Sequence, residues 1–293
     1  MLSLNIIVRL MRPIHLLLAL LAYGLGLGIA RYLGGVLNPL TQIATGMALL
    51  FLLAASSLLV DYFRRPDDPI LPAETRQQRE VLRPILLAVS AAFLAVGALL
   101  AFWLYLQGHL TVNNALLFVL YLLLCLSLAV PPVRLIERGI GEIVLAFLLA
   151  VLTPAIAFLL MFPGLHPFLR GFTFPLFLLA LAWQLAISFE QYPNHLKYGR
   201  RVLLVRLSWQ KAIPLHNSLL VAAYFFLAML PFLSVPFHLT WPALLTLPLA
   251  AWQALMLRNI ADGAKPVWNA LNIAATAVFG LTSYLITITF WLR

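Results

Sequence analysis

Nine stretches of this sequence are apolar over about the length that crosses a lipid bilayer: 15–34, 41–63, 84–107, 112–130, 142–163, 168–189, 217–236, 239–257 and 267–290. A span needs ~20 such residues in a row. Inside lipid every backbone N–H and C=O must find its partner within a helix or a closed barrel. The run lengths therefore predict an all-α polytopic membrane protein with nine transmembrane helices. Composition agrees. With 63% hydrophobic and 10% charged residues and a mean hydropathy of +1.01, a 293-residue chain has too little polar surface to face water. No interval between runs suffices for a separate soluble domain, so residues 1–293 are expected to form a single transmembrane domain. The first run is longer than a signal-peptide core and no small-residue cleavage site follows it, so it reads as a span and not as a cleaved signal. The only cysteine, Cys125, falls inside the fourth run, which excludes disulfides and cysteine-based metal sites.

Charge tests the count. If the connections alternate between two sides, the N-terminal side carries 16 of the 19 Lys and Arg residues, leaving Arg31, Arg170 and Arg293 on the other. A missed span would scramble that division. Basic loops stay in the cytoplasm, so the expected location is the cell (inner) membrane, N-terminus cytoplasmic and C-terminus outside. The segments 64–83 and 190–214 should lie on the same face. All nine acids also fall on or at the edge of the N-terminal side, which orientation does not require. Sixteen cations less nine acids leave +7 there and +3 opposite, out of a net +10. Orientation and contact with anionic membrane lipid account for this charge, and no nucleic-acid partner is expected.

Three polar segments stand out on the basic side: VDYFRRPDDPILPAETRQQREVLRP (60–84), PPVRLIERGIGE (131–142) and SFEQYPNHLKYGRRVLLVRLSWQK (188–211). A solvated positive loop is the plainer alternative for each, and it weakens when the three are taken together. Together their lengths suggest a structured polar cap on the cytoplasmic side. Asp61, Glu142 and Glu190 fall at helix ends, within membrane depth. A charge at a span centre costs ~2.5–3.5 kcal/mol on insertion scales and less near the interface, so such groups tend to face a cavity.

In order and content these segments resemble the UbiA superfamily of intramembrane prenyltransferases, nearest its menaquinone-type branch of dihydroxynaphthoate prenyltransferases. PPVRLIERGIGE is similar to the family's PP-x-x-L-x-x-x-G-L-G-E, GRRVLLVRLSWQKA (199–212) to its G-K-R-T-L-x-V-R-L-G run, and Arg12-Pro13 to the usual R-P before the first helix. The resemblance spans the chain. It implies a nine-helix UbiA-like bundle, two aspartate-rich motifs after helices 2 and 6, Mg2+, and transfer of a prenyl group from a prenyl diphosphate to an acceptor such as an aromatic ring. The departures fall on the motif positions. Where the family has N-D-x-x-D-x-x-x-D, this sequence has VDYFRRPDD: Asp61 and Asp68 match, Val60 replaces the asparagine and Arg64 an aspartate. Where the family has D-x-x-x-D, Gln191 and His195 stand at the two aspartate positions.

Mg2+ is a hard cation that takes oxygen ligands in near-octahedral geometry. Gln191 offers one neutral oxygen, His195 offers nitrogen, and Arg64 would repel the metal while suiting a phosphate. Two readings follow. In the first, metal-dependent catalysis is lost and the cavity binds an isoprenoid, a quinone, a pigment tail or a lipid, as a subunit or assembly factor of a larger membrane complex. In the second, the protein is a prenyltransferase with an atypical site: Asp61 and Asp68 hold one Mg2+ and are the catalytic candidates. Arg64, Arg134, Gln191, His195, Lys197, Arg200 and Arg201 are the substrate-binding candidates in either case. A transporter is a third possibility. Asp61, Arg64, Asp68, Gln191, His195 and Arg200 are expected at the mouth of one cavity. Gln184, Gln253, Asn269 and Asn272 are expected to bond between helices or line that cavity, and His15 to pack at the interface. Residues 202–209 have helical potential as an interfacial lid or partner surface, stopped by Pro214.

Overall fold

The computed structural model describes residues 4–36, 38–71 and 74–293, and these are helical with no strand among them. A short helix α1 (Leu4–Leu10) leads into the spans α2 (Pro13–Tyr32), α3 (Pro39–Tyr62), α4 (Arg76–Leu106), α5 (Val112–Ala129), α6 (Gly141–Phe158) and α7 (Pro167–Glu190). Two short helices, α8 (Tyr192–Lys197) and α9 (Leu203–Leu207), precede the spans α10 (Trp209–Leu233), α11 (Phe237–Ala261) and α12 (Trp268–Trp291). Nine helices among the described residues are thus long and apolar enough to cross a membrane. The chain is an integral membrane protein.

Local chemistry sets the helix starts. Asn38 caps α3 by accepting from the Leu40 and Thr41 amides, with Pro39 at the first helical position. Thr111 caps α5 and His166 caps α7. Thr75 and Gln78 form a reciprocal capping box that starts α4 at Arg76, eight residues before the apolar run expected from 84. The charged first turns of α4 contribute no apolar signal, so a reading based on hydropathy misses them. α10 likewise starts at Trp209, not near 217, and it carries Pro214 in its second turn. The stop expected at Pro214 is in fact made by Ser208, whose φ of 65° breaks the chain between α9 and α10.

Burial separates core from lipid-facing helices. α4 has the highest mean hydropathy of the spans, 2.6, yet only 17% of that window is buried in the protein, which is the signature of a helix facing lipid. α3, α6 and α7 are mostly buried, with α2 between them. The core runs through Leu25, Ile29, Leu49, Leu52, Phe158, Phe172, Trp183 and Phe279. α2 packs on α6 where Gly26 meets the Pro154 carbonyl and the Ala157 methyl, and small residues let the two backbones approach. α9 is not a free lid: Val202 and Leu204 are buried with Phe189, Ile213, Leu257 and Leu271.

The three polar segments meet at one end of the bundle. Arg65 pairs with Glu137 at 3.3 Å, the Leu203 amide donates to Glu142 at 3.0 Å, and Arg200 pairs with Asp68. Arg79 binds the backbone oxygens of Arg65, Pro66 and Asp68, and Arg83 binds that of Arg64 at 2.6 Å. The first turns of α4 thus clamp the loop that carries Asp68.

Candidate functional site: an arginine-rich cavity at one end of the bundle

A cavity of about 620 Å³ opens among the start of α2, the end of α3, the start of α6, the end of α7, the short helix α8 and the segment that follows it. Its lining includes Arg64, Asp68, Arg134, Gln191, His195 and Arg200, so six of the sequence candidates share one space. Asp61 is buried behind Arg64 and does not line it. Lys197 and Arg201 lie outside the lining; the Lys197 ammonium sits over the Tyr198 ring, 5.2 Å from its centroid.

The two motif carboxylates are engaged by guanidinium groups. Asp68, 3% exposed, accepts from Arg200 Nε at 2.7 Å and Nη2 at 2.6 Å, a two-pronged pair joining residues 132 apart in sequence. Asp61, 2% exposed, has Arg64 Nη2 at 2.8 Å from Oδ1 and Arg12 Nη2 at 3.9 Å. That contact is ionic, with no aligned hydrogen bond to Oδ1. Arg64 Nη1 also donates to the Pro69 carbonyl at 2.8 Å, which fixes it from a second side. Arg134 pairs with Glu137 at 3.1 Å, and its buried Nε has no hydrogen-bond partner.

Two of these arginines are held in unusual backbone. Arg12 has φ 56° and Arg134 φ 39°, both left-handed, a region that costs a non-glycine residue ~1–3 kcal/mol. Burial lowers the Arg12 guanidinium from its ordinary value; Asp61 opposes that, and Arg64 and Arg200 add repulsion. Burial also lowers Arg134, against the pull of Glu137.

His195 is pushed down to about 4, by burial first and then by repulsion from Arg200 and Arg64, with Asp68 opposing. It is therefore neutral at physiological pH. Its folded value lies below its ordinary 6.5, so the protonated unfolded chain gains ground as pH falls. The stabilisation is present above pH ~6.5 and is lost as pH drops toward ~4. Thermal unfolding in detergent should show that loss in the unmodified protein and a smaller one in His195→Gln. Equal slopes would remove His195 from the account.

The deeper wall carries further polar groups. His15 packs against Trp183, with ring centroids 4.9 Å apart and planes tilted by 55°, and lines the cavity, as does Gln184, whose buried Nε2 has no partner. Gln184 belongs to the cavity and not to a helix interface. Glu142 spends one oxygen on the Leu203 amide and leaves Oε2 without a partner. Gln253 does bond between helices, to His216 at 2.9 Å, and Asn272 donates to Glu190 at 2.6 Å. Asn269 is exposed. Sequence reasoning does not single out Ser188, Asn194 and Tyr198, which also line the cavity. One signal was available: Gln184, Ile187 and Ser188 share one face of α7, and Gln191 at its C-cap continues that face at i+7.

The donor set does not fit a Mg2+ centre. Both carboxylates are neutralised by arginines, and the Gln191 amide oxygen accepts from Asn194 at 3.2 Å. Among the described residues no group of three or more His, Cys, Asp or Glu is placed to hold a metal.

No protein-family model matches the chain, and neither does any curated protein. Solved structures do. A UbiA homologue from Archaeoglobus fulgidus bound to GPP and Mg2+ superposes with a TM-score of 0.68 at 16% identity, covering 98% of each chain. The chain has the UbiA fold. The same homologue bound to DMAPP and Mg2+ matches with a TM-score of 0.62 over 96% of this chain and 99% of that one, again at 16% identity. A digeranylgeranylglyceryl phosphate synthase matches with a TM-score of 0.56 at 13% identity, over 100% of this chain and 98% of that one. At these identities the likeness is one of fold. The UbiA fold expected from the short motifs is present along the whole chain, while the menaquinone-type branch finds no counterpart among these matches.

Proposed function

We propose that residues 1–293 form one transmembrane unit that binds an isoprenoid-tailed ligand and does not carry out metal-dependent prenyl transfer. One observation carries this: each surviving motif carboxylate is engaged by an arginine of the same chain, Asp61 by Arg64 and Asp68 by Arg200. A metal at either carboxylate would have to displace a charge-assisted contact and leave a half-buried guanidinium without its partner. The ligand class is supported by the UbiA homologues of the same fold, which are bound to the prenyl diphosphates GPP and DMAPP. It is supported too by the cavity, whose mouth is cationic and whose walls include Val60, Ile70, Leu145 and Ile187. A concave apolar site with a few convergent polar groups suits a ligand with a polar head and a hydrocarbon tail. The basic end, which also carries the acids, is read as cytoplasmic and the C-terminus as outside.

The prenyltransferase reading keeps one support, the superposition over 98% of both chains with a homologue bound to GPP and Mg2+. The two separate in one assay. Purified protein given geranylgeranyl or longer prenyl diphosphates and Mg2+ is expected to release no diphosphate above background. Mg2+-dependent transfer abolished by Asp61→Ala would establish the enzyme instead. A role as a subunit predicts co-purification with a defined membrane complex after mild detergent extraction.

A further inference from the structure

We infer that Arg64 and Arg200 are the resident cations of this site, and that the cavity binds the phosphate of an isoprenyl phosphate or diphosphate by direct guanidinium contact, without a metal. This rests on the isoprenoid-binding reading above and adds the chemical class of the head group.

The geometry points this way in three respects. Asp68 takes Arg200 through Nε and Nη2, which fixes the plane of the guanidinium and sets Nη1 against His195, 3.5 Å from its Nδ1. Arg64 is held between Asp61 and the Pro69 carbonyl. Both are donors oriented before any ligand arrives, and a planar fork of N–H groups matches phosphate oxygens in geometry as well as charge. Second, Arg12 and Arg134 line the same cavity from strained, left-handed backbone. Arg134 keeps a buried Nε with no acceptor, which a neutral head group lacking an oxygen there would leave unpaired. Third, the charges favour an anion over a cation. Arg12, Arg64, Arg134 and Arg200 face Asp61, Asp68 and Glu137, and His195 between them is neutral. With Asp61 behind the wall, the lining carries these four arginines against Asp68, Glu137 and Glu142, one positive charge in excess, and Arg65, Lys197 and Arg201 keep the surroundings basic. Mg2+ would find Asp61 and Asp68 already held by arginines.

The test is calorimetric titration of the full chain in detergent with geranylgeranyl diphosphate, geranylgeranyl monophosphate and geranylgeraniol, in EDTA and again in Mg2+. Both phosphorylated compounds should bind in EDTA, and added Mg2+ should not tighten them. Arg200→Ala and Arg134→Gln should each weaken them at least ~10-fold. Arg134→Gln leaves Glu137 paired with Arg65, so that variant keeps the fold if Arg200→Ala does not. Asp68→Asn releases Arg200 and should leave binding in EDTA as tight or tighter. Binding that requires Mg2+ and disappears in Asp68→Asn would overturn the inference, and the metal-free reading with it. If geranylgeraniol binds as tightly as the phosphates and both arginine variants are silent, the isoprenoid reading stands and the phosphate inference falls. If no isoprenoid binds, both fall.

Discussion

Arg200→Ala is expected to lower the stability of the folded chain by ~3–5 kcal/mol, the range seen when one partner of a buried ion pair is removed. The size follows from what is left behind. Asp68 is 3% exposed and takes both of its side-chain hydrogen bonds from Arg200. Without them a buried carboxylate is left with no side-chain donor. The neighbouring Arg64 is committed to Asp61 and Pro69, and Arg79 reaches the backbone of this loop instead of the carboxylate. Arg200→Lys should recover only part of the loss, since an ammonium cannot make the two-pronged contact. Asp68→Asn combined with Arg200→Met removes both charges and should lie nearer the unmodified protein than Arg200→Ala does. Thermal unfolding of the four proteins in one detergent gives the order. An Arg200→Ala protein as stable as the parent would mean that the pair is solvated and the cavity open.

The second large effect lies in the middle of the membrane. Alanine has a better helix propensity than glycine by ~1 kcal/mol, so Gly→Ala inside a span should help wherever there is room. At Gly24 there is room: a Cβ would meet only the Thr287 methyl, at 3.4 Å. At Gly26 a Cβ would overlap the Pro154 carbonyl oxygen and come within 2.7 Å of the Ala157 Cβ. A backbone oxygen cannot swing aside as a side chain can. Helices α2 and α6 must separate, and overpacking of that kind costs ~1–3 kcal/mol, occasionally more. The clash outweighs the propensity. Gly26→Ala should therefore unfold at lower temperature, and Gly24→Ala at the same or a higher one. Equal behaviour of the two would show that α2 is free to shift.

How much of this was legible in the sequence depended on whether the controlling interaction was local. The nine helices were, because each is a run of apolar residues whose length is set by the bilayer. The helix starts at Arg76 and Trp209 were not, since a capping box and a single Ser208 in left-handed backbone decide them within polar sequence. Of the six residues that the motif register places at one cavity, Arg64, Asp68, Gln191, His195 and Arg200 line it and Asp61 does not. The register gave no sign that Arg200 would close on Asp68, because that pairing depends on α8 folding back toward the loop after α3. Lys197 and Arg201 flank the same stretch and look equivalent by charge alone, yet neither lines the cavity. Gln184 was legible only as a choice between two uses, and its unpartnered Nε2 decides for the cavity.

The first and last spans touch. Trp291 Nε1 donates to the Gly24 carbonyl at 2.9 Å, across 267 positions of sequence, and Trp183, in the sixth span, reaches Thr276 in the ninth. During synthesis this sets an order in time. α2 enters the bilayer early but cannot complete its packing until the ribosome has delivered residue 291, so for most of translation it presents the groove for α12 to lipid or to whatever helps membrane proteins insert. A nascent chain halted before the ninth span should remain open to chaperones and proteases however well its first eight helices are seated.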